Sequence, residues 1–274
     1  MAADARALLL IFATASLGPP LAIAQDAPAG GASADELAKQ LSNPVAALIS
    51  VPLQLNYDDG YGVGGDGERF TLNIQPVVPI SLNDDWNVIS RTILPLIAQD
   101  DVIGNDSQSG TGDTIQSLFF SPKKPTAAGW IWGVGPAFLL PTASDDDLGS
   151  EQWGIGPTAV ALKQTADGWT YGALVNHLVS VAGGDDRADL NATFLQPFLS
   201  KGFPGGRTAT FNLESTYDWE SEAWNVPVNV MYSKVTKIGN QLVSFAGGAR
   251  YYLESPPGGP DWGLRFVVTL LYPK

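Results

Sequence analysis

The sequence predicts an all-β fold: a closed antiparallel transmembrane β-barrel of about twelve strands, an even number as bacterial single-chain barrels require, with a short N-terminal helix in front. Three observations predict it. From Val51 onward, strand-length segments recur, and many alternate apolar with polar residues. The connections between them alternate too, long and acidic followed by short or basic. After the N-terminal region no apolar stretch approaches the ~18 residues of a spanning helix.

Composition narrows the possible functions. Charged residues make up 16% of the 274 residues, below the roughly 25% of ordinary soluble domains. A formal net charge of -13 argues against a nucleic-acid partner, which needs a basic patch. There is no cysteine and a single histidine, His177, so disulfides, thiolate metal sites and multi-histidine centres are excluded. No metal or cofactor is expected.

The chain divides into three parts. Residues 1–24 have the order of a secretory signal: Arg6, the apolar run Ala7–Leu17, then Ala22-Ile23-Ala24 as the small-residue cleavage site. Residues 25–50 form a lead-in and a short helix, about Ala34–Ser42. Ser33 is its N-cap, Asp35 and Glu36 lie where the helix dipole favours acids, and Asn43-Pro44 ends it. The helix is either a periplasmic cap or a plug in the barrel mouth. Residues 51–274 form the barrel.

Its expected strands are Val51–Tyr57, Arg69–Ile80, Trp86–Ile97, Thr114–Ser121, Trp130–Leu140 and Gln152–Lys163. They continue with Trp169–Val181, Leu190–Leu199, Ala209–Trp219, Trp224–Thr236, Gln241–Leu253 and Trp262–Tyr272. In the last, Trp262, Leu264, Phe266, Val268, Leu270 and Tyr272 share one face, with Arg265 and Thr269 on the other. An apolar face with aromatics at both ends suits lipid and its two interfaces. The long gaps, such as Asp58–Glu68, Asp100–Gly112 and Ser144–Glu151, are acidic. The turns Asn83-Asp84-Asp85 and Ala166-Asp167-Gly168 are tight. This parity fits periplasmic termini and long outer loops; a secreted β-sandwich, the competing architecture, has no reason to sort its loops this way. Prolines within strands, at Pro76, Pro79, Pro95, Pro136, Pro157, Pro197 and Pro227, call for bulges or kinks, because proline lacks the ladder donor.

Candidate chemistry is sparse. Asp145-Asp146-Asp147 lacks the spacing of a calcium loop; its functional reading is divalent bridging to lipopolysaccharide. His177 and Ser180 are three apart and so fall on opposite faces of a strand, against a Ser–His hydrolase. No enzyme is expected. The lumen is more informative: Arg91, Glu214, Arg250 and Arg265 fall on the polar sides of their strands. Arg250 and Arg265 flank one loop almost symmetrically and read as cross-strand neighbours needing an acid, water or anionic ligand between them. They form either a structural network or a constriction selecting an anionic or polar aromatic solute.

Several motifs resemble one bacterial family. They are Ser117-Leu-Phe-Phe-Ser-Pro122, Trp132-Gly-Val-Gly-Pro136, Trp153-Gly-Ile-Gly-Pro157, Phe194-Leu-Gln-Pro-Phe198, Gly248-Ala-Arg-Tyr-Tyr252 and Gly259-Pro-Asp-Trp-Gly-Leu-Arg-Phe266. The chain resembles the transporter-like outer-membrane family labelled "MetA-pathway of phenol degradation" from about Glu36 onward. The resemblance implies an outer-membrane barrel of a Gram-negative bacterium that helps take up aromatic or other hydrophobic compounds. One departure is the ending Leu271-Tyr272-Pro273-Lys274, which lacks a terminal aromatic for the assembly machinery.

The expected function is therefore passage or uptake of a small solute through a porin-like lumen. The alternative is a non-transporting surface or binding barrel with a packed lumen. Expected partners are outer-membrane lipid and lipopolysaccharide, the barrel assembly machinery and a small-molecule solute.

Overall fold

The computed structural model describes residues 32–104, 106–184 and 186–273. The signal-like segment 1–24 lies outside them. The first described element is the helix α1, Ala34–Leu41, capped by the Ser33 side chain, which accepts from the Glu36 N–H.

Twelve strands follow. They are β1 (Ile49–Tyr61), β2 (Gly67–Ile74 and Val77–Ser81), β3 (Trp86–Asp100), β4 (Ser107–Thr111 and Thr114–Pro122), β5 (Trp130–Leu140) and β6 (Gln152–Gln164). The second half holds β7 (Trp169–Gly183), β8 (Asn191–Phe203), β9 (Arg207–Leu213 and Ser215–Asp218), β10 (Ala223–Asn225 and Pro227–Ile238), β11 (Gln241–Tyr252) and β12 (Trp262–Tyr272). Each pairs antiparallel with the next, and β1 pairs with β12 from Ile49↔Tyr272 to Asp59↔Trp262. Closure leaves no edge strand, the condition for a sheet surrounded by lipid.

The expected strand set is recovered, with β5 and β12 at their predicted bounds. The outer loops needed correction. Strand β1 runs on to Tyr61 and Ser107–Thr111 is strand, although both stretches were read as loop. Gly-Asp-rich composition is turn chemistry, but pairing with neighbours already in place carries the ladder outward.

Faces alternate as lipid requires. Trp130, Trp169, Tyr171 and Tyr272 are exposed at the end with the tight turns; Trp153, Trp224, Tyr251 and Trp262 are exposed at the end with the long loops. Between these girdles Ile155, Val175, Leu199, Phe211, Val230 and Phe266 also face out. Such an apolar belt between aromatic rings is the outer surface of a membrane barrel.

The prolines neither bulge nor unpair whole strands. Pro136 faces Pro157 across β5–β6. Beyond each, the ladder skips: β4–β5 pairing jumps from Ser117↔Ala137 to Phe120↔Val134, and β6–β7 from Ile155↔Val179 to Thr158↔Asn176. Equal residue counts on both sides keep the register. The preceding glycines admit the neighbouring backbone: a Cβ on Gly135 would lie 1.9 Å from the Leu118 carbonyl oxygen, and on Gly156 1.7 Å from that of His177. This explains the repeated Trp-Gly-x-Gly-Pro tag as strand architecture.

The interior is two-sided, where a polar lumen was expected. One wall is apolar: Ile89, Phe119, Val160, Leu162 and Leu174 cluster around Val45. The opposite wall is polar. The segment 34–48 crosses the mouth at the tight-turn end. Leu37 and Leu48 pack with Val235 and Leu271, the Asp35 carboxylate accepts from the Gly206 N–H, and the Lys39 carbonyl accepts from Gln164 Nε2 at 2.8 Å. Of the two expected roles, this arrangement is a plug.

Candidate functional site

The polar wall gathers the predicted lumen residues into one layer. Strand β12 supplies Arg265, facing inward because Leu264 and Phe266 face out. Its guanidinium grips Glu214 with two bonds, Nη1 to Oε1 at 2.7 Å and Nη2 to Oε2 at 2.8 Å. Its Nε donates to Asn56 Oδ1 at 2.7 Å. This fork-on-fork geometry is the strongest arrangement a guanidinium and a carboxylate can adopt.

Glu214 lies where β9 is interrupted. Pro197 on β8 and Pro227 on β10 flank the gap, where β8–β9 and β9–β10 pairing each skip two residues. The Glu214 N–H donates to the Pro227 carbonyl, and its Oε1 also accepts from Gln196 Nε2 at 3.2 Å. Proline, having no N–H, is at home beside an opened ladder. The same device recurs in β2: Gln75 occupies the gap before Pro76, its N–H donates to the Pro52 carbonyl, and its Oε1 accepts from Arg91 Nη2 at 3.3 Å.

Arg250, on β11, binds Asp58 through Nη1 at 3.0 Å and lies 3.8 Å from Glu214 through Nη2. The Tyr252 hydroxyl donates to the other Asp58 oxygen at 2.9 Å. Arg250 and Arg265 are not direct cross-strand partners, as the loop symmetry suggested. Arg250 faces Gly263 and Arg265 faces Gly248, so the guanidiniums are staggered two residues along the strand. Gly263 leaves room for the Asp58 carboxylate. A Cβ on Gly263 would come within 2.4 Å of Asp58 Oδ1.

All four predicted residues, Arg91, Glu214, Arg250 and Arg265, therefore belong to one lumen layer. Asp58 and Asn56 were missed. Asp58 was assigned to the loop because Asp58-Asp59-Gly60 resembles a turn. The overlooked signal was the alternation Gln54, Asn56, Asp58, which extends the polar face of β1 by one more step.

Below this layer, toward the plug, a cavity of about 310 Å³ opens. Arg91 and Arg265 line it, with Gln75, Gln196 and Thr210 on the polar side and Phe198 and Val267 among the apolar ones. Among the described residues no carboxylate lines it. His177, by contrast, faces outward with Val175 and Val179, its Nδ1 2.8 Å from the Thr193 hydroxyl. Ser180 engages Asp189 instead.

Fold and layer together define a transmembrane β-barrel whose lumen holds a charged, hydrogen-bonded layer. Solved structures share the fold. A COG4313 outer membrane channel from Pseudomonas putida F1 superimposes with a TM-score of 0.64 at 14% identity, covering 82% of this chain and 96% of that one. Looser likenesses link it to outer membrane phospholipase A from Escherichia coli (TM-score 0.44, 12% identity, 89% and 99% covered). A Pseudomonas aeruginosa FadL homologue is similarly distant (0.42, 10%, 84% and 91%). No family model matches the chain, and no curated protein does, so the resemblance to the phenol-degradation family rests on its motifs.

Proposed function

We propose that the protein is an outer-membrane channel that passes small solutes through its lumen, with no chemistry of its own, after export by the segment 1–24. The observation that carries this reading is the cavity between plug and charged layer. A barrel serving only as a wall or anchor would fill its centre with side chains, as small barrels do; here amides, hydroxyls and guanidiniums share with apolar side chains the lining of an open space. The fold shared with an outer membrane channel supports the same reading. Both obstructions of the lumen are non-covalent: the plug rests on apolar packing and a few hydrogen bonds, the charged layer on ion pairs.

The packed-barrel alternative draws on the same obstructions, since 34–48 covers the mouth and Asp58, Arg250, Glu214 and Arg265 bridge the polar wall. Liposome swelling discriminates. Vesicles carrying the channel swell in small neutral and anionic solutes at rates that fall with solute size. A packed barrel leaves them indistinguishable from empty vesicles. Uptake of a panel of aromatic acids and hydrocarbons by cells with and without the protein then tests the aromatic substrate that the resemblance implies.

A further inference from the structure

We infer that the cavity beneath the charged layer is a binding site for small organic monocarboxylates, with Arg91 as the anchoring cation. This rests on the reading of the lumen as a solute path and adds a chemical class to it.

The charge arrangement carries the inference. Four guanidiniums, Arg69, Arg91, Arg250 and Arg265, share the layer with two carboxylates, Asp58 and Glu214. Arg69 faces Asp58 across β1–β2, donates to Gln99 and lies over the Tyr61 ring, away from the cavity. The carboxylates are already engaged: Glu214 is gripped by both outer nitrogens of Arg265 and approached by Arg250, and Asp58 by Arg250 and Tyr252. Arg91 is left over. Among the described residues it forms no ion pair, and its one hydrogen-bond acceptor is the neutral Gln75 side chain. A guanidinium inside a low-dielectric wall with no carboxylate in direct contact is costly, and Glu214 attracts Arg91 only from beyond ion-pair distance. Arg91 borders a space whose lining, among the described residues, contains no carboxylate.

The shape of the site selects among anions. A single free guanidinium matches one carboxylate, which it can bind with two parallel bonds. Gln75 holds its amide beside the same fork and has donors of its own. A phosphate dianion would want a second free cation, and Arg265 is committed. The same cavity is lined by Val77, beside Arg91 on the neighbouring strand, and by Phe198, Val267 and Leu41 and Pro44 of the plug segment, an apolar lining suited to the body of an organic acid. A volume of about 310 Å³ is at the lower end of small-molecule pockets, ~300–1,000 Å³, so the guest is small. The plug residues in that lining mean the occupant touches the element that must move for passage.

Isothermal titration of the full-length barrel in detergent tests this with benzoate, its neutral counterpart benzyl alcohol, and inorganic phosphate. Wild type binds benzoate at least tenfold more tightly than the other two. Arg91→Gln removes that preference, and Arg91→Lys retains part of it. Heat-modifiable gel mobility verifies that each variant is folded. Equal affinity for benzoate and benzyl alcohol in wild type overturns the proposal without recourse to variants, as does unchanged benzoate binding by folded R91Q. Swelling of vesicles made from the same preparation separates the two readings. Benzoate binding without swelling removes the transport reading alone, and swelling without benzoate preference removes this inference alone.

Discussion

At the residue scale the layer is governed by Glu214. Arg265 grips it with both outer guanidinium nitrogens and Arg250 stands 3.8 Å away, so Glu214→Gln strips the anion from a cluster of buried cations. Breaking a buried pair by removing one partner costs about 3–5 kcal/mol, since the remaining charge is left uncompensated. The urea midpoint for unfolding from lipid vesicles is expected to drop accordingly for E214Q. Replacing Glu214 and Arg265 together by Gln and Met should cost much less than the single change, because no charge is then orphaned. Selectivity follows from the same charges: with four arginines, Arg69 opposite Asp58 among them, to two acids, the layer should favour anions, and Arg91→Gln should shift the reversal potential under a salt gradient toward cations. Of this layer, the sequence made Arg91, Glu214, Arg250 and Arg265 legible, because the cost of charge in lipid assigns them to the lumen. It hid Asp58, whose neighbours Asp59 and Gly60 mimic a turn. Nor could it show which arginine is spare, since that depends on distances across strands far apart in the chain.

At the element scale two features are at work, the Gly-Pro pairs and the plug. The tags at Gly135-Pro136 and Gly156-Pro157 are where two adjacent strands open their outer ladders while facing each other proline to proline. Gly156→Ala places a methyl group within 1.7 Å of the His177 oxygen, so backbone must shift; overpacking of this kind costs about 1–3 kcal/mol. Chemical unfolding of G156A in vesicles should show that loss, since Gly156 shares the inward face with Gly154, Thr158 and Val160. The plug was half legible. Ser33, Asp35 and Asn43-Pro44 located the helix, but nothing in nine or ten residues says whether they lie under a barrel or inside it. That was decided by partners distant in sequence: Val235 and Leu271 for Leu37, Ile89 and Phe119 for Val45.

At the scale of the whole molecule, the fold was legible because membrane and lumen impose opposite demands on alternate residues. Trp262, Leu264 and Phe266 face out and Arg265 faces in, and no soluble sheet needs that contrast strand after strand. The apolar half of the lumen was not legible, since Val160 and Leu162 read the same whether they face lipid or a plug. If the account holds, the mature chain will need detergent and will migrate differently on gels before and after boiling. The central claim, passage through the lumen past a movable segment, is tested most directly by single-channel recording in planar bilayers. Wild type and Val45→Asp, which sets a carboxylate against Ile89, Phe119 and Leu162, would be compared. Discrete openings in wild type, with a larger open fraction in V45D, are the predicted result. Silent bilayers for both, with heat-modifiable barrels verified in the same membranes, would contradict it.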